Sequence, residues 1–253
     1  MSMNFINAKL KENPGKPILG LYIMAKDPTL IEFAKMAGYD FIRIDYEHIL
    51  FSAAELREII RTANLVGLMV QIRIPNMGEI TKLLDMGVDS IVVTDVDTVE
   101  KAKEAIDAVK YWPLGHRGMY PVGRCVWGKK WSEYLENGNK EVSLGIQIEN
   151  VAAKPILDEI ISLEGIDMIS SGKQDISESA GIPGKTSDPI VLDMEEAIVK
   201  TALKYGKEPV CMATSKKRVD ELMALGQKIF TVDMDYELIR KAYKDYADQL
   251  RGE

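Results

Sequence analysis

Two carboxylates each stand just past a short apolar run: Glu149 in Gly145-Ile146-Gln147-Ile148-Glu149-Asn150, and Asp175 in Ser170-Ser171-Gly172-Lys173-Gln174-Asp175. Runs of that kind read as strands. In a parallel barrel, the C-terminal ends of successive strands open on one mouth. Two hard oxygen ligands meeting there, with water completing the shell, suit Mg2+ or Mn2+ better than a closed zinc cage. A divalent ion at such a mouth points to carbonyl chemistry, because it polarises an oxygen. Gln147 lies two residues before Glu149 and projects to the same side of its strand. Asp175 has a second reading as a helix N-cap, since Glu178 stands three residues on, as in a capping box.

Other reactive types fall at equivalent places. Asp45-Tyr46-Glu47-His48 comes after one apolar run, and Arg73 sits near the end of another, in Gln71-Ile72-Arg73-Ile74-Pro75. A histidine titrates near neutrality and suits acid–base work, or it is a loop residue bonded to its neighbours. A guanidinium at a strand end grips a carboxylate at two points, or forms a structural ion pair. Lys173 has the chemistry for a Schiff base with a keto acid, set against the reading of a solvated lysine. Asp85 falls late in a helix, away from the expected mouth. His116 and Arg117 lie in a loop they would anchor.

Alternating elements must position these groups. Strands are expected at Ile18–Met24, Phe41–Ile44, Val70–Ile74, Ser90–Thr94, Val142–Ile148, Ile166–Ser171, Pro209–Met212 and Lys228–Val232. Helical patterns come after them at Thr29–Ala37, Ala53–Val66, Gly78–Met86, Val99–Val109, Ala152–Ile161, Asp193–Lys204, Lys216–Ala224 and Tyr236–Leu250. Near-continuous apolar strands such as Ile91-Val92-Val93 fit a parallel sheet covered on both faces. Eight β/α pairs over roughly 250 residues predict one closed (β/α)8 (TIM) barrel domain spanning residues 1–253. No GxGxxG comes after the first strand, which argues against a dinucleotide fold. Between the fourth and fifth strands, residues 111–140 are rich in glycine, proline and tryptophan. They are expected to form a long loop with a short helix at Lys129–Glu136, and long loops in compact domains are usually functional.

Composition narrows the class. The 253 residues are 46% hydrophobic and 28% charged, with a net charge of −7, typical of a soluble globular chain. No basic stripe is present to neutralise phosphates, so nucleic acid is not the expected partner. Cys125 and Cys211 are far apart and form no CxxC motif, consistent with a cytoplasmic protein with reduced thiols. Met1–Ile6 has no signal-peptide pattern, and no run is long enough to span a membrane. The turns after the seventh and eighth strands are not glycine-rich, which disfavours a phosphorylated substrate.

Several segments together resemble the HpcH/HpaI family of metal-dependent pyruvate aldolases. They are Ala37-Gly38-Tyr39-Asp40-Phe41-Ile42-Arg43-Ile44-Asp45-Tyr46-Glu47-His48, Ile72-Arg73-Ile74-Pro75, Tyr111-Trp112-Pro113-Leu114-Gly115-His116-Arg117-Gly118, Gln147-Ile148-Glu149-Asn150 and Gly172-Lys173-Gln174-Asp175-Ile176-Ser177, in that order. The resemblance implies reversible cleavage of a 4-hydroxy-2-oxo acid, or a 2-keto-3-deoxy sugar acid, to pyruvate and an aldehyde. It implies that Glu149 and Asp175 hold Mg2+, Mn2+ or Co2+, which stabilises a pyruvate enolate. Arg73 would support the keto oxygen and His48 would move the proton. Asp85, from an adjacent subunit, would raise the basicity of His48, and Asp45 would orient its loop. Gln147, Gln174 and Asp175 would contact the keto acid. It further implies a homohexamer, a trimer of dimers, in which Tyr236–Leu250 is exchanged between barrels. The family pattern often has a small residue or proline where Lys173-Gln174 stands, and Val-Pro where Val93-Thr94 stands. A Schiff-base aldolase using Lys173 and a non-catalytic keto-acid-binding barrel are the alternatives.

Overall fold

In the computed structural model, residues 9–12, 14–119, 126–128 and 130–252 are described, except for the side chain of Leu135. Cys125, the turn residues Pro121 and Gly123, and the Met1–Ile6 segment lie outside the described residues. Eight parallel strands run in the order β7-β6-β5-β4-β3-β2-β1-β8. They are β1 (Ile18–Ile23), β2 (Phe41–Asp45), β3 (Met69–Ile74), β4 (Ser90–Val93), β5 (Ser143–Ile148), β6 (Met168–Ser171), β7 (Glu208–Pro209) and β8 (Ile229–Met234). A parallel bridge between Met212 and Thr231 brings the two edges together, so the sheet is a nearly closed barrel.

Helices α1 (Thr29–Met36), α2 (Ala53–Val66), α3 (Ile80–Met86) and α4 (Val99–Val109) come after the first four strands. Then come α5 (Trp131–Glu141), α6 (Leu157–Ile161), α7 (Lys173–Ser179), α8 (Pro189–Lys204), α9 (Lys216–Leu225) and α10 (Asp235–Arg251). Local chemistry starts several of them. Ser52 and Glu55 form a reciprocal capping box on α2, and the Thr98 and Ser215 hydroxyls accept the N–H groups of Lys101 and Arg218.

Alternation along each strand separates two cores. Ile42, Ile44, Val70, Ile72 and Ile74 face the helices in one large apolar cluster. Phe41, Met69, Met168, Val210, Ile229 and Ile18 fill the bottom of the barrel. Gly20 makes room for this plug, because a Cβ there would fall 2.1 Å from the Phe41 ring. Inward positions become polar toward the C-terminal ends: Phe41, Arg43, Asp45 on β2, and Met69, Gln71, Arg73 on β3. The register sets Asp45 beside Arg73. At the mouth, buried Asp235 accepts the backbone N–H groups of Met24 and Ala25, tying the end of β1 to the start of α10.

The structure departs from the sequence expectations at several elements; the helix expected over Ala152–Ile161, for one, is a 3-10 stretch at Val151–Ile156, with Pro155 inside it, leading into α6. Helix α5 covers Trp131–Glu141 rather than Lys129–Glu136 (Lys129 lies outside the described residues). It runs through Gly138 because that glycine packs flat on Tyr111, with an added Cβ only 3.1 Å from the ring. Helix α8 starts at Pro189 rather than Asp193, since Asp188 caps it and Pro189 fits the first turn. Strand β7 is only Glu208–Pro209, because Val210 still bonds to Ile169 while Met212 has turned to Thr231. A separate helix, α7, forms at Lys173–Ser179. Its N-cap is Gly172, with no side-chain cap, so the N-cap reading of Asp175 is wrong: Asp175 is the third residue inside the helix.

Candidate active site

The C-terminal ends of the strands surround a cavity of about 580 Å³. His48, Asp45 and Arg73 line one side, and Gln147, Gly172, Lys173, Gln174 and Asp175 line the other. The sequence-predicted residues on four separate strand ends therefore do meet.

On the β2–β3 side the charges are mutually satisfied. Asp45 Oδ1 accepts the N–H groups of Glu47 and His48 at 3.2 Å, which closes the turn after β2. Its Oδ2 accepts from Arg73 Nη2 at 2.9 Å. Burial alone would raise the Asp45 carboxyl, but the Arg73 charge and hydrogen bond outweigh it and hold it below its usual range. Arg73 Nε lies 3.3 Å from Glu47 Oε2, close enough for an ion pair although the N–H is not aimed for a hydrogen bond. Glu47 Oε1 in turn accepts from the Thr94 hydroxyl at 2.7 Å. Burial would lower the Arg73 guanidinium, yet Tyr22, Asp45 and Glu47 keep it raised and charged.

His48 is exposed and its Nδ1 lies 2.7 Å from Arg73 Nη2, against 3.4 Å from Asp45 Oδ1. Arg73 can only donate, so this contact is a hydrogen bond only in the tautomer protonated at Nε2, whereas a proton on Nδ1 turns that edge to Asp45 and leaves Nε2 free to accept one. Ligand atoms of Asp45, Glu47 and His48 lie within 4.8 Å of one another, the arrangement of a candidate cation group. The Arg73 guanidinium already sits among them, so a metal there would face a fixed positive charge.

The β5–β6 side has the opposite balance. Glu149 is buried and accepts from Gln147 Nε2 through Oε1 and from the Asp95 N–H at 2.8 Å through Oε2. Burial pushes its carboxyl up to about 7; the two hydrogen bonds oppose this, and the charges of Asp175 and Glu47 add to it. Gly172 explains how the two carboxylates approach. A Cβ there would stand 2.3 Å from Glu149 Oε1 and 3.0 Å from Asp175 Oδ2, so only glycine leaves that space free. Asp175 makes no hydrogen bond or ion pair among the described residues. Two carboxylates meeting over a glycine, one of them raised by burial with the charge of the other adding to it, fit a hard divalent cation.

Asp85 is not brought to His48 within one chain. It lies at the far end of α3, where Arg117 Nη2 donates to it at 2.9 Å, so Arg117 anchors the loop as its spacing suggested. His116 is paired with Asp107 on the surface. Cys211 is wholly buried and burial pushes its thiol up to about 12, which removes it as a nucleophile.

Sequence reasoning missed several participants. Arg43 is buried in the barrel, donating to Gln71 at 2.5 Å, Tyr22 at 3.1 Å and Ser170 at 3.3 Å. The Tyr22 ring lies 5.4 Å from the Arg43 guanidinium and 5.5 Å from that of Arg73. The available signal was parity, since Arg43 precedes Asp45 by two residues and faces the same way. Asp95 is a non-glycine residue with φ 55°, the left-handed region, and that twist aims its N–H at Glu149. Glu195 and Arg218 also line the cavity; they lie on α8 and α9, where spacing from strand ends gives no hint.

A profile of the HpcH/HpaI aldolase/citrate lyase family matches residues 19–242. The 2-keto-3-deoxy-L-rhamnonate aldolase of Escherichia coli strain K12 is 30% identical over 240 residues, covering 93% of this chain and 88% of the relative. Among solved structures, the citrate synthase SbnG superposes with a TM-score of 0.87 at 27% identity, covering 96% of this chain and 97% of the other. An HpcH/HpaI aldolase from Desulfitobacterium hafniense DCB-2 gives 0.88 at 25% identity, covering 98% and 96%.

Proposed function

The chain belongs to the HpcH/HpaI aldolase/citrate lyase family, a class II carbon–carbon lyase family, and on that premise we propose that it cleaves a 4-hydroxy-2-oxo acid, or a 2-keto-3-deoxy sugar acid, reversibly to pyruvate and an aldehyde. The observation that carries this reading is the meeting of Glu149 and Asp175 over Gly172, across one cavity from Arg73 and His48. Glu149 and Asp175 would hold Mg2+, Mn2+ or Co2+, which supplies Lewis acidity to the keto oxygen.

Arg73 donates to the oxygen that gains charge as the C3–C4 bond breaks. Its guanidinium is held in place by Asp45 and Glu47, so little reorganisation is needed. His48 takes the C4 hydroxyl proton as the aldehyde leaves and returns one in the reverse direction, directly or through water. Gln147 and Gln174 orient the keto acid, and Asp45 fixes the His48 turn. Asp85 acts on His48 only from a second subunit, in keeping with a homohexamer. The exposed Tyr243, Tyr246 and Leu250 on α10 support exchange of that helix between barrels. No helix among the described residues is long and apolar enough to cross a membrane, and a cytoplasmic location is proposed.

Chelation should abolish pyruvate release, and Mg2+ or Mn2+ should restore it. A metal-free enzyme that keeps its full rate would sink the proposal. Lys173 also lines the cavity, which keeps a Schiff-base aldolase as the second reading. Borohydride with pyruvate is expected to leave Lys173 unmodified; a mass adduct there would favour that second reading.

A further inference from the structure

The barrel layer beneath the cavity holds a buried cation, Arg43, with no carboxylate within ion-pair distance among the described residues. Its donors go to neutral groups instead. Nε meets Gln71, and Nη1 meets Tyr22 Oη at 3.1 Å and Ser170 Oγ at 3.3 Å, while Nη2 is buried without a partner. A buried charge left without a counter-ion is costly, so folding stability alone does not account for it. Its neighbours are fixed in turn. Gln71 Nε2 donates to Ser90 Oγ at 2.9 Å, which leaves the amide oxygen for Arg43, and Ser170 Oγ donates to the Val210 carbonyl at 2.8 Å.

Tyr22 is the member of this network that reaches the cavity. It lines the wall, stands beside Arg43 in the β1–β2 register, and its ring centre is 5.5 Å from the Arg73 guanidinium. A guanidinium only donates, so Tyr22 Oη is the acceptor in the Arg43 bond and its own proton points elsewhere. No described residue accepts that proton. A hydroxyl that accepts from a cation is also polarised toward donating. We propose that Tyr22 is a further catalytic residue, its hydroxyl donating to the keto oxygen that Arg73 supports, and that Arg43 is the positioning residue that keeps this proton free for the cavity. The bond strengthens as that oxygen gains enolate charge while C3–C4 breaks. This inference rests on the aldolase reading above and adds a donor to it.

The test uses the full-length enzyme with Mn2+. Exchange of pyruvate methyl protons in D2O first reads the aldolase half-reaction in wild type. Tyr22→Phe then removes one oxygen and keeps the ring beside Arg73. Its kcat for pyruvate release is expected to fall about 10²-fold, with KM and Mn2+ affinity within about twofold of wild type. Oxalate, a planar dianion that mimics the pyruvate enolate, separates this role from a structural one: its affinity should fall along with kcat. Arg43→Met should lower kcat in the same direction, and the double variant should be no slower than Tyr22→Phe, because Arg43 acts through that hydroxyl. Where Arg43→Met fails to fold, Arg43→Gln takes its place in the cycle. Losses that add in the double variant overturn the positioning role of Arg43. Exchange in wild type, with kcat and oxalate affinity unchanged in Tyr22→Phe, overturns the inference alone. Absence of exchange in wild type overturns the aldolase reading, and the inference with it.

Discussion

The β2–β3 and β5–β6 sides of the mouth are built from the same ingredient, acids placed just past strand ends, and reach opposite electrostatic states. Asp45 and Glu47 surround Arg73, and the Asp45 carboxyl is held low. Glu149 and Asp175 surround nothing positive, and the Glu149 carboxyl is pushed up to about 7. One side is complete as a polypeptide; the other lacks a cation. A count of candidate ligands alone would favour the Asp45, Glu47 and His48 group for a metal. The charge already present there reverses that choice, because a buried carboxylate, Glu149, with a second acid beside it and no counter-ion is the costlier arrangement.

The strongest way to break this contrast is to remove charge from the side that lacks a cation. Glu149→Gln keeps the shape and the Asp95 contact but halves the ligand charge. Lyase activity should fall on the order of 10²–10³-fold, with Mn2+ affinity falling in parallel, because an aimed charge at the reacting oxygen is lost. Calorimetric Mn2+ titration beside the pyruvate-release assay decides it; wild-type affinity in the variant would move the metal to the β2–β3 side.

A change on the completed side should separate chemistry from metal binding. Arg73→Lys keeps the charge but gives up the fork that meets Asp45, Glu47 and His48 together. We expect kcat to fall about 10²-fold, with Mn2+ affinity within a factor of two of wild type. Loss of metal affinity comparable to the loss of kcat would show that the two sides are not separate.

How far this contrast was legible in the sequence differs by residue. The barrel was readable because its alternation is local: apolar runs such as Ile91-Val92-Val93 and caps such as Ser52 act within a few residues. Glu149, Asp175, Arg73 and His48 were readable because each lies at or just past the end of its strand. The Asp175 cap reading failed because Gly172 takes the cap position, and glycine has no side chain to advertise it. Arg218 and Glu195 were not legible, since only the packing of α8 and α9 onto the barrel brings them to the cavity. The electrostatic difference was also hidden. It depends on Asp45 facing Arg73 across the β2–β3 register, a tertiary fact, while Glu149 has only Gln147 and Asp95.

Titration sharpens the contrast with a smaller effect. Metal must displace whatever proton Glu149 holds, so affinity should rise with pH until that carboxyl is ionised, near pH 7, and fall about tenfold per unit below it. The metal-free fold behaves in the reverse sense. It binds this proton more tightly than the unfolded chain, so the associated stability is present at acid pH and is lost as pH rises through about 7. The Tm increment given by a fixed Mg2+ concentration should therefore be larger at pH 8 than at pH 6. An increment that shrinks with rising pH would mean that Glu149 is not the ligand.

The smallest expected effect tests how Glu149 is held. Asp95 contributes its backbone N–H at 2.8 Å, while its side chain is exposed and paired with Lys101. A surface pair of that kind adds about 0–1 kcal/mol. A non-glycine residue at φ 55° costs about 1 kcal/mol or more, and glycine adopts that conformation without the cost. Asp95→Gly should therefore leave stability unchanged or raise it by up to about 1 kcal/mol in urea melts, because relief of the backbone offsets the lost pair. Metal affinity should stay within about twofold, since the N–H that reaches Glu149 belongs to the backbone and survives the substitution. A tenfold loss of affinity would assign the Asp95 carboxylate itself to the metal and make the β4 strand end a third contributor to that side of the mouth.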